Sequence, residues 1–99
     1  MAREGKRLRT EHLELRSVAS PLPHPRIGFI VARHRQSAVA RNRLKRRLRE
    51  IARTRILPAL PPLDVVIRTR PEAYRATFDA LDAQLERATA QLVRGARAP

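Results

Sequence analysis

Ala40-Arg41-Asn42-Arg43-Leu44-Lys45-Arg46-Arg47-Leu48-Arg49-Glu50 is the stretch on which the fold of this chain turns. From Arg41 to Arg49 six of nine positions are basic, and the exceptions are Asn42, Leu44 and Leu48. Ser37 has the side chain of a helix N-cap, and neither Pro nor Gly follows it before Pro58, so a helix is predicted over this run. At about 100° per residue, Ala40, Leu44, Leu48, Ile51 and Ala52 share one stripe. Asn42, Arg46, Arg49 and Arg53 share the opposite one, with Arg43 and Arg47 along one flank and Lys45 along the other. One edge of the rod suits a core, and the rest carries guanidinium groups suited to phosphates. Helix faces that merely meet solvent usually mix signs, with Glu four residues from Lys or Arg. Here Glu50 is the one acid among eight basic residues between Arg41 and Arg55. Such a row repels itself until a polyanion neutralises it.

On either side of the helix the pattern changes period. Residues 10–19 alternate, with Leu13, Leu15, Ser17 and Ala19 on one side and His12, Glu14, Arg16 and Val18 on the other, which reads as a strand. Residues 20–25 hold three prolines and read as a loop joining two antiparallel strands. Residues 26–32 read as a second strand with apolar or small residues on both faces, the mark of a central position. On that strand Gly28 leaves room for a packed neighbour or a ligand, the neighbour being the commoner case. Downstream, residues 63–68 read as a short buried strand and residues 69–76 as a turn. Thr77 then caps a second helix whose stripe is Phe78, Leu81, Leu85, Ala88 and Leu92, ended by Gly95. The order is β-β-α-β-α, a small α+β or α/β sandwich with two helices packed on a mixed sheet of three to four strands.

The chain has 99 residues, enough for a single domain over 1–99 with an ordered core at about 7–94. Residues 1–9 form a basic lead, disordered at its start by default. Lys and Arg number 22 against 9 Asp and Glu, a formal charge of +13, which points to nucleic acid before an acidic membrane surface. With no cysteine, disulfides and thiolate zinc sites are excluded. No apolar run approaches the roughly 18 residues of a membrane span, so a soluble cytoplasmic protein is expected. His12, His24 and His34 lack the spacing of a metal site, and no spacing assigns a metal to the protein. Ser17, Ser20 and Ser37 have ordinary strand, loop and cap explanations, and no glycine-rich phosphate loop is present. Catalytic groups are therefore expected from another molecule.

Residues 38–50 closely resemble the RNR signature of the bacterial ribonuclease P protein family. Arg26-Ile27-Gly28-Phe29-Ile30-Val31 looks like that family's strand into the signature, and Asp64-Val65-Val66-Ile67-Arg68 looks like its last strand. Gly5-Lys6-Arg7 is similar to its entry into the first strand, so the likeness runs over about residues 5–93. The resemblance implies a ribonuclease P protein-like fold (ribosomal protein S5 domain 2-like) and a subunit bound to a catalytic RNA. That RNA, with Mg²⁺ that it mainly binds itself, removes the 5′ leader of precursor tRNA, and no further protein partner is expected. Carried over residue by residue, Arg41, Asn42, Arg43, Lys45, Arg46 and Arg49 would contact RNA, with Arg53 and Arg33 beside them. The family's sheet cleft would hold the leader, although Phe29, Ile30 and Val31 read first as core. Two departures stand out. The family's usual first helix is not expected, since Gly5 follows Met1 so closely, and Gln36 stands where the family's loop has Gly.

Three other partners fit a small basic chain less well. A ribosomal or other structural RNA-binding protein would share the charge and the arginine-rich helix without any part in tRNA processing. A DNA reader would need a helix-turn-helix pair, and the element before the basic helix reads as a strand. A membrane-surface helix would want large aromatic residues on its apolar stripe.

Overall fold

A computed structural model describes residues 6–97; the basic lead before Lys6 and the last two residues lie outside the described part. Four strands, β1 (Lys6–Arg9), β2 (Leu13–Ala19), β3 (Arg26–Ile30) and β4 (Leu63–Thr69), and two helices, α1 (Ala38–Ile51) and α2 (Phe78–Arg97), build it. The sheet order is β1-β2-β4-β3. Both β1–β2 and β2–β4 are antiparallel, and β3 runs parallel to β4 through the crossover that contains α1. The mixed sheet with two helices is the expected fold class, with the strand β1 added at its start.

Three local expectations change. The strand predicted over residues 10–19 begins at Leu13, because residues 10–12 make the turn of the β1–β2 hairpin. There Thr10 N–H donates to Leu13 O at 2.8 Å, and Gln84 Oε1 accepts from Thr10 Oγ1 at 2.6 Å and from His12 N–H at 3.1 Å. β2 and β3 do run in opposite directions but do not pair, since β4 lies between them. β3 is consequently an edge strand and not a central one. Its second apolar face reflects an open sheet surface, and β4 takes the central place. Finally, α2 continues through Gly95 to Arg97. The flexible end of the Lys6 side chain lies where a Cβ on Gly95 would sit, and the glycine does not end the helix.

The core lies on one face of the sheet. Leu13, Leu15, Val65 and Ile67 pack with Leu44, Leu48 and Ile51 of α1 and with Leu81, Leu85, Ala88 and Leu92 of α2. Phe78, the first member of the α2 stripe, stays 39% exposed. Both helices begin as their sequences dictate: Ser37 Oγ accepts from Ala40 N–H at 3.0 Å and Thr77 Oγ1 from Ala80 N–H at 3.1 Å. After Ile51 the helix widens into a π-helical turn, Ala52–Ile56, then tightens into the 3-10 turn Leu57–Ala59 that contains Pro58. An ion pair from Arg55 to Asp82 ties this widened turn to α2.

At the open end of the sheet Arg26 grips Asp64 with two bonds, Nε to Oδ1 at 2.9 Å and Nη2 to Oδ2 at 2.6 Å, across the parallel β3–β4 register. Those bonds hold the Asp64 carboxyl below the usual carboxylate range, and the positive charge of Arg26 adds to the effect against partial desolvation. Arg26 is raised in return. The unfolded chain therefore takes up this proton first as pH falls. Stability from the pair is complete above the unfolded value of about 3.9 and is lost as pH drops through the lower folded value. The stability difference between wild type and Asp64→Asn, from urea melts, is expected to be constant above about pH 5 and to shrink below about pH 4. Leu48 is fully buried, so Leu48→Ala should cost ~2–5 kcal/mol, read as a fall in thermal midpoint by circular dichroism.

Candidate nucleic-acid interface

With its leucine stripe on the sheet, α1 turns the polar residues outward. Asn42, Arg43, Arg46 and Arg49 are exposed, and Lys45 is half-buried beside them. None of these cations has a carboxylate within ion-pair distance among the described residues. Arg53, on the π-helical turn, is exposed but bonds both oxygens of Glu50 from Nη2 at 3.1 and 3.0 Å. Arg41 differs more: half-buried, it donates from Nε to Val31 O at 2.7 Å, which fixes the chain between β3 and α1. Its placement gives it an internal bond that the helical pattern alone did not indicate.

The crossover loop into α1 is tightly held. Gln36 N–H donates to Arg33 O at 2.8 Å, and Arg33 Nε returns a bond to Gln36 O at 3.2 Å. Tyr74 OH donates to Ala32 O at 2.5 Å. His34 and Arg35 take the left-handed conformation, with φ of 48° and 68°. For residues with a Cβ this costs of order 1–3 kcal/mol each, so the tethers on either side maintain it. The left-handed demand thus falls before Gln36, the position at which the sequence departs from the family's glycine.

Two grooves flank α1. One, about 460 Å³, runs along the edge of β3 beneath Lys45, Arg49 and Arg53 and is floored by Ile27, Gly28 and Phe29. The other, about 180 Å³, separates the Arg43–Arg47 flank from the 3-10 turn Pro71–Arg75. The cationic rod is therefore approachable from both sides.

A second basic surface lies on the sheet face opposite the core. The register sets Arg7 beside Arg16, Arg16 beside Val66 and Val66 beside Gly28 in one row, and Glu14, Arg68 and Ile30 in the next. All of these but Gly28 line a depression of about 410 Å³. Val18, Ile30 and Val66 are 42%, 44% and 40% exposed on this face of the sheet. The pairs Arg9–Glu14 and Arg26–Asp64 close the charge at its corners, whereas Arg7, Arg16 and Arg68 have no such partner among the described residues. Nothing lies within 4 Å of a Cβ built on Gly28, so its open side faces space and not a packed neighbour. Of Phe29, Ile30 and Val31, the last just past the end of β3, Val31 is buried and Phe29 partly so, while Ile30 belongs to this open face instead of the core. Arg7, Arg16 and Arg68 were not singled out by the sequence. Their period-two position opposite Leu8, Leu15 and Ile67 was visible, but the pairing that gathers them was not.

Among the described residues no group of three or more His, Asp or Glu gathers as a metal site, and no helix is long and apolar enough to cross a membrane. A strip of fixed cations and a shallow apolar face with arginines are what the molecule offers. Both are fitted to hold a phosphate chain and unstacked bases, and neither presents a nucleophile beside a base.

Known proteins resemble this chain in sequence and fold. The ribonuclease P protein component of Syntrophobacter fumaroxidans is 46% identical over 76 residues, 74% of this chain and 62% of that protein. The one from Clavibacter michiganensis is 32% identical over 96 residues, 95% of this chain and 84% of that protein. The chain spans only about half to three fifths of the length of several further curated relatives. The solved ribonuclease P protein of Thermotoga maritima superposes with a TM-score of 0.69 at 30% identity, covering 85% of this chain and 84% of that one. Since the family model described as Ribonuclease P matches residues 1–93, this chain belongs to the ribonuclease P protein family.

Proposed function

We propose that this chain serves as the protein subunit of a bacterial ribonuclease P, acting in the cytoplasm on precursor tRNA. The observation that carries it is the pairing of two cationic surfaces in one family fold: the outer face of α1, and the open sheet face with Arg7, Arg16 and Arg68. In this role Asn42, Arg43, Lys45, Arg46 and Arg49 lie against the catalytic RNA. Arg53 joins them by exchanging Glu50 for phosphate, while Arg33 and Arg41 contribute from the crossover loop and its tether. The open sheet face holds the single-stranded 5′ leader, with Val18, Ile30 and Val66 under the bases and the arginines at the phosphates. Hydrolysis belongs to the RNA. Mg²⁺ prefers carboxylate and phosphate oxygens in an octahedral set, and the described protein residues gather no such set. As the family resemblance implies, Mg²⁺ is assigned mainly to the RNA, and the protein's part is to reduce repulsion between two polyanions and to place the leader.

Reconstitution is the direct test: adding the protein to a bacterial ribonuclease P RNA should raise precursor cleavage at low Mg²⁺. No gain in cleavage, with RNA binding intact, would leave a structural RNA-binding role instead. If about six phosphates are contacted, log K against log[salt] is expected to fall with a slope of roughly −4 to −5. Arg46→Ala and Arg49→Ala should each flatten that slope by about one unit, measured by filter binding. Gly28→Val should leave the thermal midpoint unchanged, since the new side chain meets open space. The same variant should weaken binding of precursor tRNA about tenfold, or ~1.4 kcal/mol, and leave leaderless tRNA unaffected.

A further inference from the structure

The groove on the far flank of α1 has a construction that phosphate contacts alone do not call for. Ala40, Arg43, Leu44 and Arg47, one face of the helix by their spacing, form one wall, and Ala73 and Tyr74 form the other. Tyr74 is the only tyrosine in a chain without tryptophan and with only two phenylalanines. Part of its ring packs against the core and part lines the groove. Its hydroxyl is fixed on Ala32 O at 2.5 Å, and the His34 ring stands edge-on to it, 6.4 Å away at 81°. The ring is thus held in place before any ligand arrives. Arg43 and Arg47 stand across the groove with no carboxylate partner among the described residues, and no acid lines it.

We infer that this groove receives one unpaired nucleobase of the RNA bound to α1, stacked on Tyr74, with the neighbouring phosphates met by Arg43 and Arg47. The inference rests on the proposed RNA-binding role of α1 and adds a base-stacking contact to it. A pinned aromatic ring loses little freedom on stacking, and every base offers a π face, so the contact tolerates any sequence. The cations fit a nucleotide better than an apolar peptide or a lipid tail, because both would leave two arginines facing an uncharged partner. The groove also continues directly from the outward row of α1, so one RNA segment reaches both.

The simpler role for Tyr74 is to tether the crossover loop through its hydroxyl, and two substitutions separate the roles. Tyr74→Phe removes the hydroxyl and keeps the ring, whereas Tyr74→Leu removes both. With a transcribed bacterial ribonuclease P RNA as the probe, stacking predicts near wild-type affinity for Tyr74→Phe and a loss of about 5- to 100-fold for Tyr74→Leu. Equal losses in the two variants, or no loss in either, would overturn the stacking site. Should Tyr74→Leu not fold by circular dichroism, the wild-type complex decides through cross-linking to RNA carrying 4-thiouridine. Attachment to the tryptic peptide that contains Tyr74 supports the site, and its absence refutes it. If the wild-type protein does not bind the RNA at all, the role proposed for α1 fails, which is distinct from failure of the stacking site alone.

Discussion

Leu44, Leu48 and Ile51 fasten α1 to the sheet, and the whole cationic surface depends on that attachment. Along this helix and its extension Arg41/Lys45, Arg43/Arg46, Arg43/Arg47, Lys45/Arg49, Arg46/Arg49 and Arg49/Arg53 are like-charged neighbours three or four residues apart. At a few tenths of a kcal/mol each they cost roughly 1–3 kcal/mol together. Burying a single large aliphatic side chain is worth ~1.5–3 kcal/mol, and three are buried here to 4% exposure or less. Packing therefore outweighs repulsion, and the helix can hold its charges fixed and outward without a partner. Among the described residues Glu50 pairs only with Arg53. A polyanion would remove the remaining repulsion, so binding and stability of the helix act in the same direction.

Much of the fold was legible because periodicity is a local property. The leucine spacing of α1, the caps Ser37 and Thr77 and the alternation of Leu13, Leu15 and Ser17 all appear in the structure as read. Strand neighbours are not local. Gly28, Phe29 and Ile30 looked like a strand covered on both sides, yet they lie at an edge with one bare face. Apolar residues on two faces mark either double burial or a binding surface, and only the position of β4 separates the two. Residues 10–12 were misread for a related reason: their alternation continued that of β2, while the contacts that bend them come from Gln84, more than seventy residues away.

The candidate site divides along the same line. The signature on α1 was evident as a run of residues, and the structure adds where each one faces: Arg46 outward, Arg43 and Arg47 toward one groove, Lys45, Arg49 and Arg53 toward the other. Arg41 was counted with the rest because a helical pattern treats every arginine alike, whereas its bond to Val31 O comes from the loop before the helix. The arginines of the open face come from three strands and converge only through register. No spacing along the chain brings Arg7, Arg16 and Arg68 together.

The sheet order also governs how the chain matures. Among the described residues β3 has no partner except β4, and Arg26 waits for Asp64, which is made 38 residues later. While the chain is being synthesised, β3 and the crossover helix emerge before the strand that will anchor them. Closing the sheet means bringing β4 between β2 and β3, segments already synthesised, a non-local step of the kind that slows folding. Until it happens the leucine side of the helix is exposed to solvent and its arginines have no fixed direction. The nascent subunit can thus carry its charge early but can present it as an ordered surface only after the last strand has been threaded into place.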